Sequence, residues 1–329
     1  MPPTVTVLHD ADKPPAMQGI ERDFPVRYCT GESLADALTG AEVLFVWDFR
    51  SRALADAWAG ASALRWVHAA SAGVDHVLVP GVLEGEIVVT NSRGVFDQPM
   101  AEYVLGAILA LAKDLPTTLR AQGERRWVHR ETERIGGKRA LVVGTGPIGR
   151  ATARLLTAAG LVVTGVGRTA RAGDPDFGRV LDMSEYRNAL PDTDFLVLAA
   201  PLTEQTRGMV DATALAALPN TARLVNVARG PLVVADALVA ALAAGELAGA
   251  ALDVFDVEPL PTDSPLWTMP NVIVSPHMSG DVLGWREELV ALFADNLARF
   301  TQDRPLRNVV DKRRGYVPSK QSEESHVDR

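Results

Sequence analysis

Short apolar, β-branched runs alternate with Ala- and Leu-rich stretches of helical period along almost the whole chain. That alternation predicts a parallel α/β architecture. In the first third the predicted strands are TVTVL (4–8), EVLFVW (42–47), LRWVHAA (64–70) and EIVVTN (86–91), with helical stretches at 32–39 and 51–59. A long helix is predicted from about Pro99, through PMAEYVLGAILALAKDL. Proline is tolerated there because first-turn amides have no partner in the helix. A second series follows: RALVVG (139–144), LVVTGV (161–166), DFLVLAA (194–200), ARLVNVA (222–228), GAALDVF (249–255) and NVIVS (271–275). Six strands with intervening helices in one block predict a complete nucleotide-binding sheet. The helical stretch VLGWREELVALFADNLARF (282–300) and the run NVVDK (308–312) then have no place in that sheet. The polar end, YVPSKQSEESHVDR (316–329), has no hydrophobic period and is expected to be flexible.

Composition narrows the class. A chain of 329 residues suits two domains, and 47% hydrophobic residues suffice for packed cores. A formal charge of −8 argues against a broad nucleic-acid surface. The single cysteine, Cys29, can form neither an internal disulfide nor a thiolate cluster, as expected in a reducing compartment. The start, MPPTVTVLHDADKPP, lacks a basic segment followed by an apolar run, and VLGAILALA is too short to span a membrane. The expectation is a soluble cytoplasmic protein with neither a membrane nor a nucleic-acid partner.

The segment LVVGTGPIGRATARLL (141–156) places Gly144, Gly146 and Gly149 in a G-x-G-x-x-G spacing, between an apolar strand and an Ala/Leu helix. Three glycines alone are weak evidence, but strand-in and helix-out is the context a dinucleotide site requires. Gly144 allows the tight turn, Gly146 lets backbone approach a pyrophosphate, and Gly149 allows helix to pack close on strand. Pro147 suits the first helical turn, whose amides and dipole favour a phosphate. The plainer reading is a glycine-rich turn.

Three polar residues stand near later strand ends: Arg229 in NVARG, Glu258 after LDVFDVEP, and His277 in VSPHMSG. Ligands of open α/β sheets bind beyond the carboxyl ends of strands, so the three can share one site. Imidazole passes protons near neutral pH, a neighbouring carboxylate favours its charged form, and guanidinium binds a carboxylate. Singly, each has a bland alternative: a turn cap, a solvated acid, a surface ion pair.

The stretch VVTGVGRTAR (162–171) is read as the second strand of the nucleotide domain. NAD-specific sites usually carry Asp or Glu near this strand end, bonded to ribose hydroxyls. Here Gly167 stands without a carboxylate and Arg168, Thr169 and Arg171 follow. Guanidinium binds a 2′-phosphate through a charge-assisted fork. NADP is therefore the expected cofactor, with NAD possible; incidental arginines on a solvated loop are the alternative.

On SAGVDH (71–76), NSRGVFDQPMAEYVLG (91–106), GTGPIG, APLTEQTRGMV (200–210), NVARGPLVVADALVAAL, ALDVFDVEPLP and SPHMSG, the chain resembles the D-isomer-specific 2-hydroxyacid dehydrogenases. That family includes the glyoxylate/hydroxypyruvate reductases and phosphoglycerate dehydrogenases, and the resemblance covers about residues 40–310. It implies two Rossmann-like or flavodoxin-like α/β domains with parallel sheets and an interdomain active-site cleft. The substrate domain would comprise 1–98 and 283–315, the dinucleotide domain 99–282. A homodimer is also implied, joined through the helix after Pro99 and the segment 113–135.

The implied reaction is NAD(P)H-dependent reduction of a small 2-oxo acid to the D-2-hydroxy acid. Carried over residue by residue, His277 is the general acid, Glu258 holds its other ring nitrogen, and Arg229 binds and polarises the substrate. Backbone amides at Ala72 and Gly73 receive the substrate carboxylate. Ile148, Ala200, Pro201, Thr206, Val227 and Ala228 join the fingerprint residues around the cofactor. Asp253 accepts from the nicotinamide carboxamide, or else caps a turn. Trp47, Phe49 and Trp285 are either an apolar wall over the substrate or core. The remaining histidines show no metal-site spacing. A nucleotide-sensing corepressor of the same fold is the alternative function. Formate dehydrogenase is disfavoured, because no glutamine stands two or three residues before His277.

Overall fold

The computed structural model describes residues 1–318 and divides into two compact units. One comprises Met1–Phe96 together with the chain from Val282 onward; the other comprises Asp97–Asp281.

The first unit holds five parallel strands: β1 (Val5–Leu8), β2 (Val26–Cys29), β3 (Val43–Val46), β4 (Trp66–Ala69) and β5 (Val88–Asn91). Their order is β2-β1-β3-β4-β5, the flavodoxin-like doubly wound arrangement. Strands β1, β3 and β4 are buried along their full length, which is why they read as unbroken apolar runs. The edge strand β2 is VRYC, half polar and mostly accessible, and its sequence carries no comparable signal. The expected helix at 51–59 is replaced by turns and a 3₁₀ turn, Trp58–Gly60. Its buried residues, Leu54 and Ala57, are three apart, a spacing that a 3₁₀ geometry satisfies as well as an α-helix.

Aromatic packing explains why the distant chain end joins this sheet. The helix Trp285–Thr301 buries Phe293, which stacks on Phe45 at 4.1 Å and on Trp66 at 5.3 Å. Trp47 and Trp285 stack in parallel at 6.4 Å within the same unit, so both belong to this aromatic cluster. Beyond the helix, the Val310 amide bonds the Val89 carbonyl, and the Asn308 side chain donates to the carbonyls of Asn91 and Arg93. Residues 316–318, grouped by sequence with the polar end, are tied down. Tyr316 pairs with Asp311, Val317 packs on the first unit's core, and Arg93 donates to the carbonyls of Val317 and Pro318. The rest of the segment expected to be flexible, 319–329, lies outside the described residues.

His68 sits inside that cluster, fully buried, with Nδ1 2.7 Å from the Thr90 hydroxyl. Burial penalises the imidazolium and pushes the His68 pKa down to about 3. An unfolded histidine protonates as pH falls through about 6.5, whereas the folded one stays neutral. Acid therefore favours the unfolded chain across the window from about 6.5 to 3. At pH 5 the loss from this one group is on the order of 2 kcal/mol relative to neutral pH. Urea unfolding at pH 7 and 5 should show this loss in wild type and a smaller one in His68→Asn. An equal pH dependence in both would contradict it.

The second unit contains β6 (Arg139–Val143), β7 (Val162–Gly167), β8 (Arg171–Asp174), β9 (Gly178–Asp182), β10 (Phe195–Leu198), β11 (Arg223–Asn226), β12 (Gly249–Leu252) and β13 (Val272–Val274). The sheet has eight strands instead of the expected six, ordered β13-β12-β11-β10-β6-β7-β9-β8. The two additional strands, RAGD and GRVLD, are short, polar and glycine-rich, so neither shows an apolar run. Strand β8 is antiparallel and closes the edge with charged side chains, a device that discourages further pairing. The run β9-β7-β6-β10-β11-β12 is the Rossmann order 3-2-1-4-5-6, and its direction reverses between β6 and β10. Helices Asp97–Ala112 and Pro147–Ala158 cover the face where Ile108, Ala153, Val142 and Val225 share one core.

Candidate active site

At the reversal between β6 and β10, the fingerprint glycines each meet a different demand. Gly144 has φ +113°, and a Cβ there would lie 2.5 Å from the Ala199 carbonyl carbon, so this turn requires glycine twice over. A Cβ at Gly149 would overlap the Gly144 carbonyl, so the helix can sit this close only without one. At Gly146 a Cβ meets no atom of the described residues within 4 Å. Packing among the described residues therefore does not require glycine there, and the open space leaves room for a ligand close to the backbone. Gly146 is the N-cap of the helix Pro147–Ala158, so the amides of its first turn face outward with the positive end of the dipole. A dinucleotide pyrophosphate fits this cradle.

Next to it, β7 ends at Gly167, which is buried. A Cβ at Gly167 would lie 2.8 Å from Thr145 Oγ1, so the side chain of the fingerprint's own threonine occupies the place of an acidic residue. Arg168 and Thr169 follow, both exposed. Arg171 is partly exposed, and its Nε donates to Asp174 at 3.2 Å while its Nη1 reaches the Thr169 carbonyl at 3.5 Å. Asp174 is held in turn by both terminal nitrogens of Arg150, at 3.0 Å each. Burial resists ionisation of Asp174, but the Arg150 hydrogen bond and charge and two backbone amides outweigh it and draw its pKa down to about 2. Arg171 thus braces the 168–174 loop to the fingerprint helix.

The three polar candidates come together. His277 Nδ1 lies 2.7 Å from Glu258 Oε2, and the other carboxylate oxygen accepts from the Phe255 amide at 2.9 Å. Burial of Glu258 opposes its charge, yet the His277 hydrogen bond, the Phe255 amide and the charges of His277 and Arg229 prevail and hold its pKa below the ordinary value. The carboxylate fixes the orientation of the imidazole through Nδ1. Arg229 is half-buried, and its Nη1 donates to the Ala228 carbonyl at 2.8 Å.

Several residues that assemble this site escaped the sequence reading. Gly230 lets the Arg229 loop meet the Glu258 loop: a Cβ there would overlap the Phe255–Asp256 peptide. Asn226 fastens the same loop by accepting from the Ala228 amide and donating to the Arg229 carbonyl. Both lie inside the motif NVARGP, where a small or amide residue beside a charged one is the only signal. Thr206 turns its hydroxyl to the Pro201 carbonyl at 2.7 Å and closes the loop after Ala200. Val227 and Ala228 are buried, so any ligand meets them chiefly through backbone. Asp253 is fully buried and caps a turn, accepting from the amides of Met278 and Ser279 and from the Ser275 hydroxyl.

In the first unit, the SAGVD loop has a defined amide orientation. The Ser71 carbonyl accepts from the Ser92 amide, and the Ala72 carbonyl accepts from Asn91 Nδ2 at 2.6 Å. A trans peptide points its amide opposite its carbonyl, so the amides of Ala72 and Gly73 face away from these partners.

The pattern of the D-isomer specific 2-hydroxyacid dehydrogenase NAD binding domain matches residues 105–279, over half of the chain. The chain belongs to the D-isomer-specific 2-hydroxyacid dehydrogenase family. This dehydrogenase is 34% identical over 242 residues to a glyoxylate/hydroxypyruvate reductase A of Arabidopsis thaliana, spanning 71% of this chain and 74% of that protein. It also resembles the crystal structure of a D-isomer specific 2-hydroxyacid dehydrogenase from Xanthobacter autotrophicus in complex with NADPH and MES. That match has a TM-score of 0.81 and 32% identity, over 96% of this chain and 100% of that one. An NADPH-dependent glyoxylate/hydroxypyruvate reductase from Sinorhizobium meliloti, in complex with NADP and sulfate, matches with a TM-score of 0.79 and 28% identity. There the coverage is 96% and 100%. Family and fold make this D-2-hydroxyacid dehydrogenase an oxidoreductase with a nicotinamide cofactor.

Proposed function

We propose that the enzyme reduces a small 2-oxo acid of the glyoxylate or hydroxypyruvate type to the D-2-hydroxy acid, with NADPH preferred over NADH. The observation that carries this reading is the His277–Glu258 pair at 2.7 Å, with Arg229 near enough to act on the same carboxylate. Gly144, Gly146, Pro147, Ile148 and Gly149 would hold the cofactor's pyrophosphate, and Arg168 with Thr169 its 2′-phosphate. When bound, reduced nicotinamide supplies the hydride.

The chain's own groups supply the rest. Arg229 pairs with the 2-oxo acid and withdraws electron density from its carbonyl. The amides of Ala72 and Gly73 receive the carboxylate. His277 gives the Nε2 proton to the carbonyl oxygen as the C–O double bond becomes an alkoxide, and Glu258 stabilises the imidazolium before transfer. Reprotonation from solvent restores the acid. The helix Leu115–Gly123 and the segment after it expose Leu115, Leu119, Trp127 and Val128, and this apolar surface favours a second copy of the chain there.

A steady-state screen of about ten 2-oxo acids with both reduced cofactors tests the reading. Turnover of none of them would overturn it and favour a nucleotide-sensing role. Arg229→Ala should raise KM for the 2-oxo acid and lower kcat together. Charged hydrogen bonds of ~1.5–3 kcal/mol imply a loss of roughly ten- to hundred-fold in kcat/KM. An unchanged KM would count against substrate binding by this guanidinium.

A further inference from the structure

His277 has φ +55°, in the left-handed region that a residue with a side chain adopts only when its surroundings impose it. What imposes it here is Asp253. One carboxylate oxygen accepts from the Met278 amide at 2.9 Å and the other from the Ser279 amide at 2.8 Å, so the two residues after His277 are clamped on one buried group. The same carboxylate accepts the Ser275 hydroxyl proton at 2.5 Å, which clamps the other side of the turn.

The chain of hydrogen bonds extends further. Ser275 Oγ also lies 2.5 Å from the Tyr103 hydroxyl. Serine has one hydroxyl proton, and Ser275 gives it to Asp253, so Tyr103 must be the donor in this second bond. The direction is fixed: Tyr103 to Ser275 to Asp253. Tyr103 lies on the sixteen-residue helix Asp97–Ala112, and its ring packs against the core of the sheet, so the far end of the chain is anchored on a rigid element.

We infer that Tyr103 is a positioning residue for the catalytic histidine, acting through Ser275 and Asp253 to hold the strained 275–279 turn and aim the His277 ring at Glu258. This rests on the reading of His277 as the proton donor. Loss of the phenol hydroxyl frees Ser275 Oγ to turn, slackens one side of the clamp and weakens the 2.7 Å contact between His277 and Glu258. Of the carboxylates at this turn, Glu258 contacts the His277 ring, while Asp253 holds the backbone and side chain on either side of it.

The experiment uses Tyr103→Phe, Ser275→Ala, the double variant and His277→Gln, assayed for glyoxylate reduction from pH 5 to 9. Cofactor affinity is measured by fluorescence titration, and each variant's Tm confirms folding at assay temperature. Tyr103→Phe is expected to lower kcat about tenfold with cofactor affinity and KM within about twofold, a loss confined to the chemical step. The double variant should be no worse than the worse single one, because both changes break one chain. Wild-type kcat in Tyr103→Phe, or a KM that rises as kcat falls, would overturn the inference, as would losses that add in the double variant. Near-normal turnover by His277→Gln would overturn the proton-donor reading itself, and this inference with it.

Discussion

His277→Gln is expected to lower kcat for 2-oxo acid reduction by ~10²–10⁴-fold while leaving cofactor affinity close to wild type. Glutamine keeps a hydrogen-bond donor of similar reach but has no proton to release at neutral pH. The effect therefore isolates proton transfer from mere contact. The geometry sets where the loss falls. His277 Nδ1 is held by Glu258 at 2.7 Å, and the fingerprint glycines lie at another strand end of the same sheet, so their amides keep their orientation in the variant. Fluorescence titration with the reduced cofactor and stopped-flow measurement of a single turnover separate the two. Glu258→Gln should fall between wild type and His277→Gln, because a neutral partner still fixes the ring but no longer stabilises its charge. Near-normal single-turnover rates in His277→Gln would assign the proton to another group.

The parts of this protein legible in its sequence are those buried on both faces. Strands such as Val43–Val46 and Phe195–Leu198 must be apolar throughout, since helices cover both sides of a parallel sheet. The edge strands β2 and β8 carry polar residues instead, and the interior strand β9, GRVLD, is too short and mixed to show an apolar run. The site shows a similar division. Gly144 and Gly149 are readable because steric exclusion allows no other residue, and His277, Glu258 and Arg229 because their chemistry is unusual beside a nucleotide fold. Tyr103, Ser275, Asn226 and Gly230 act by holding backbone in place, and their partners are set only by the tertiary fold. Tyr103 and Ser275 are separated by 172 positions. No local pattern encodes such a pair. Asp253 reads from the sequence as a cofactor contact or a turn cap, and in the fold it is buried and accepts from three donors of the 275–279 turn.

Arg168→Ala is expected to reduce the preference for NADPH over NADH by roughly ten- to hundred-fold, the equivalent of ~1.5–3 kcal/mol in charge-assisted hydrogen bonds. The carboxylate that favours NAD is absent, and the structure shows that restoring it is not a simple exchange. Gly167 is buried, and Thr145 Oγ1 would lie 2.8 Å from any Cβ placed there. The first charged side chain past the strand end is the exposed Arg168, followed by the exposed Thr169. Arg171 is equally basic but contributes differently, because its Nε is engaged by Asp174 and its Nη1 by the Thr169 carbonyl. Arg171→Ala should therefore shift the cofactor ratio less than Arg168→Ala, acting through the position of Thr169 instead of through direct contact with phosphate. The two variants also differ in salt dependence. A guanidinium that binds phosphate in water loses strength as ionic strength rises, so the NADPH preference of wild type should shrink with added salt and that of Arg168→Ala should not. The measurement is kcat/KM for both cofactors at low and high salt in wild type and the two variants. Equal use of the cofactors by wild type, or a ratio that Arg168→Ala leaves unmoved, would show that discrimination resides elsewhere on the strand end.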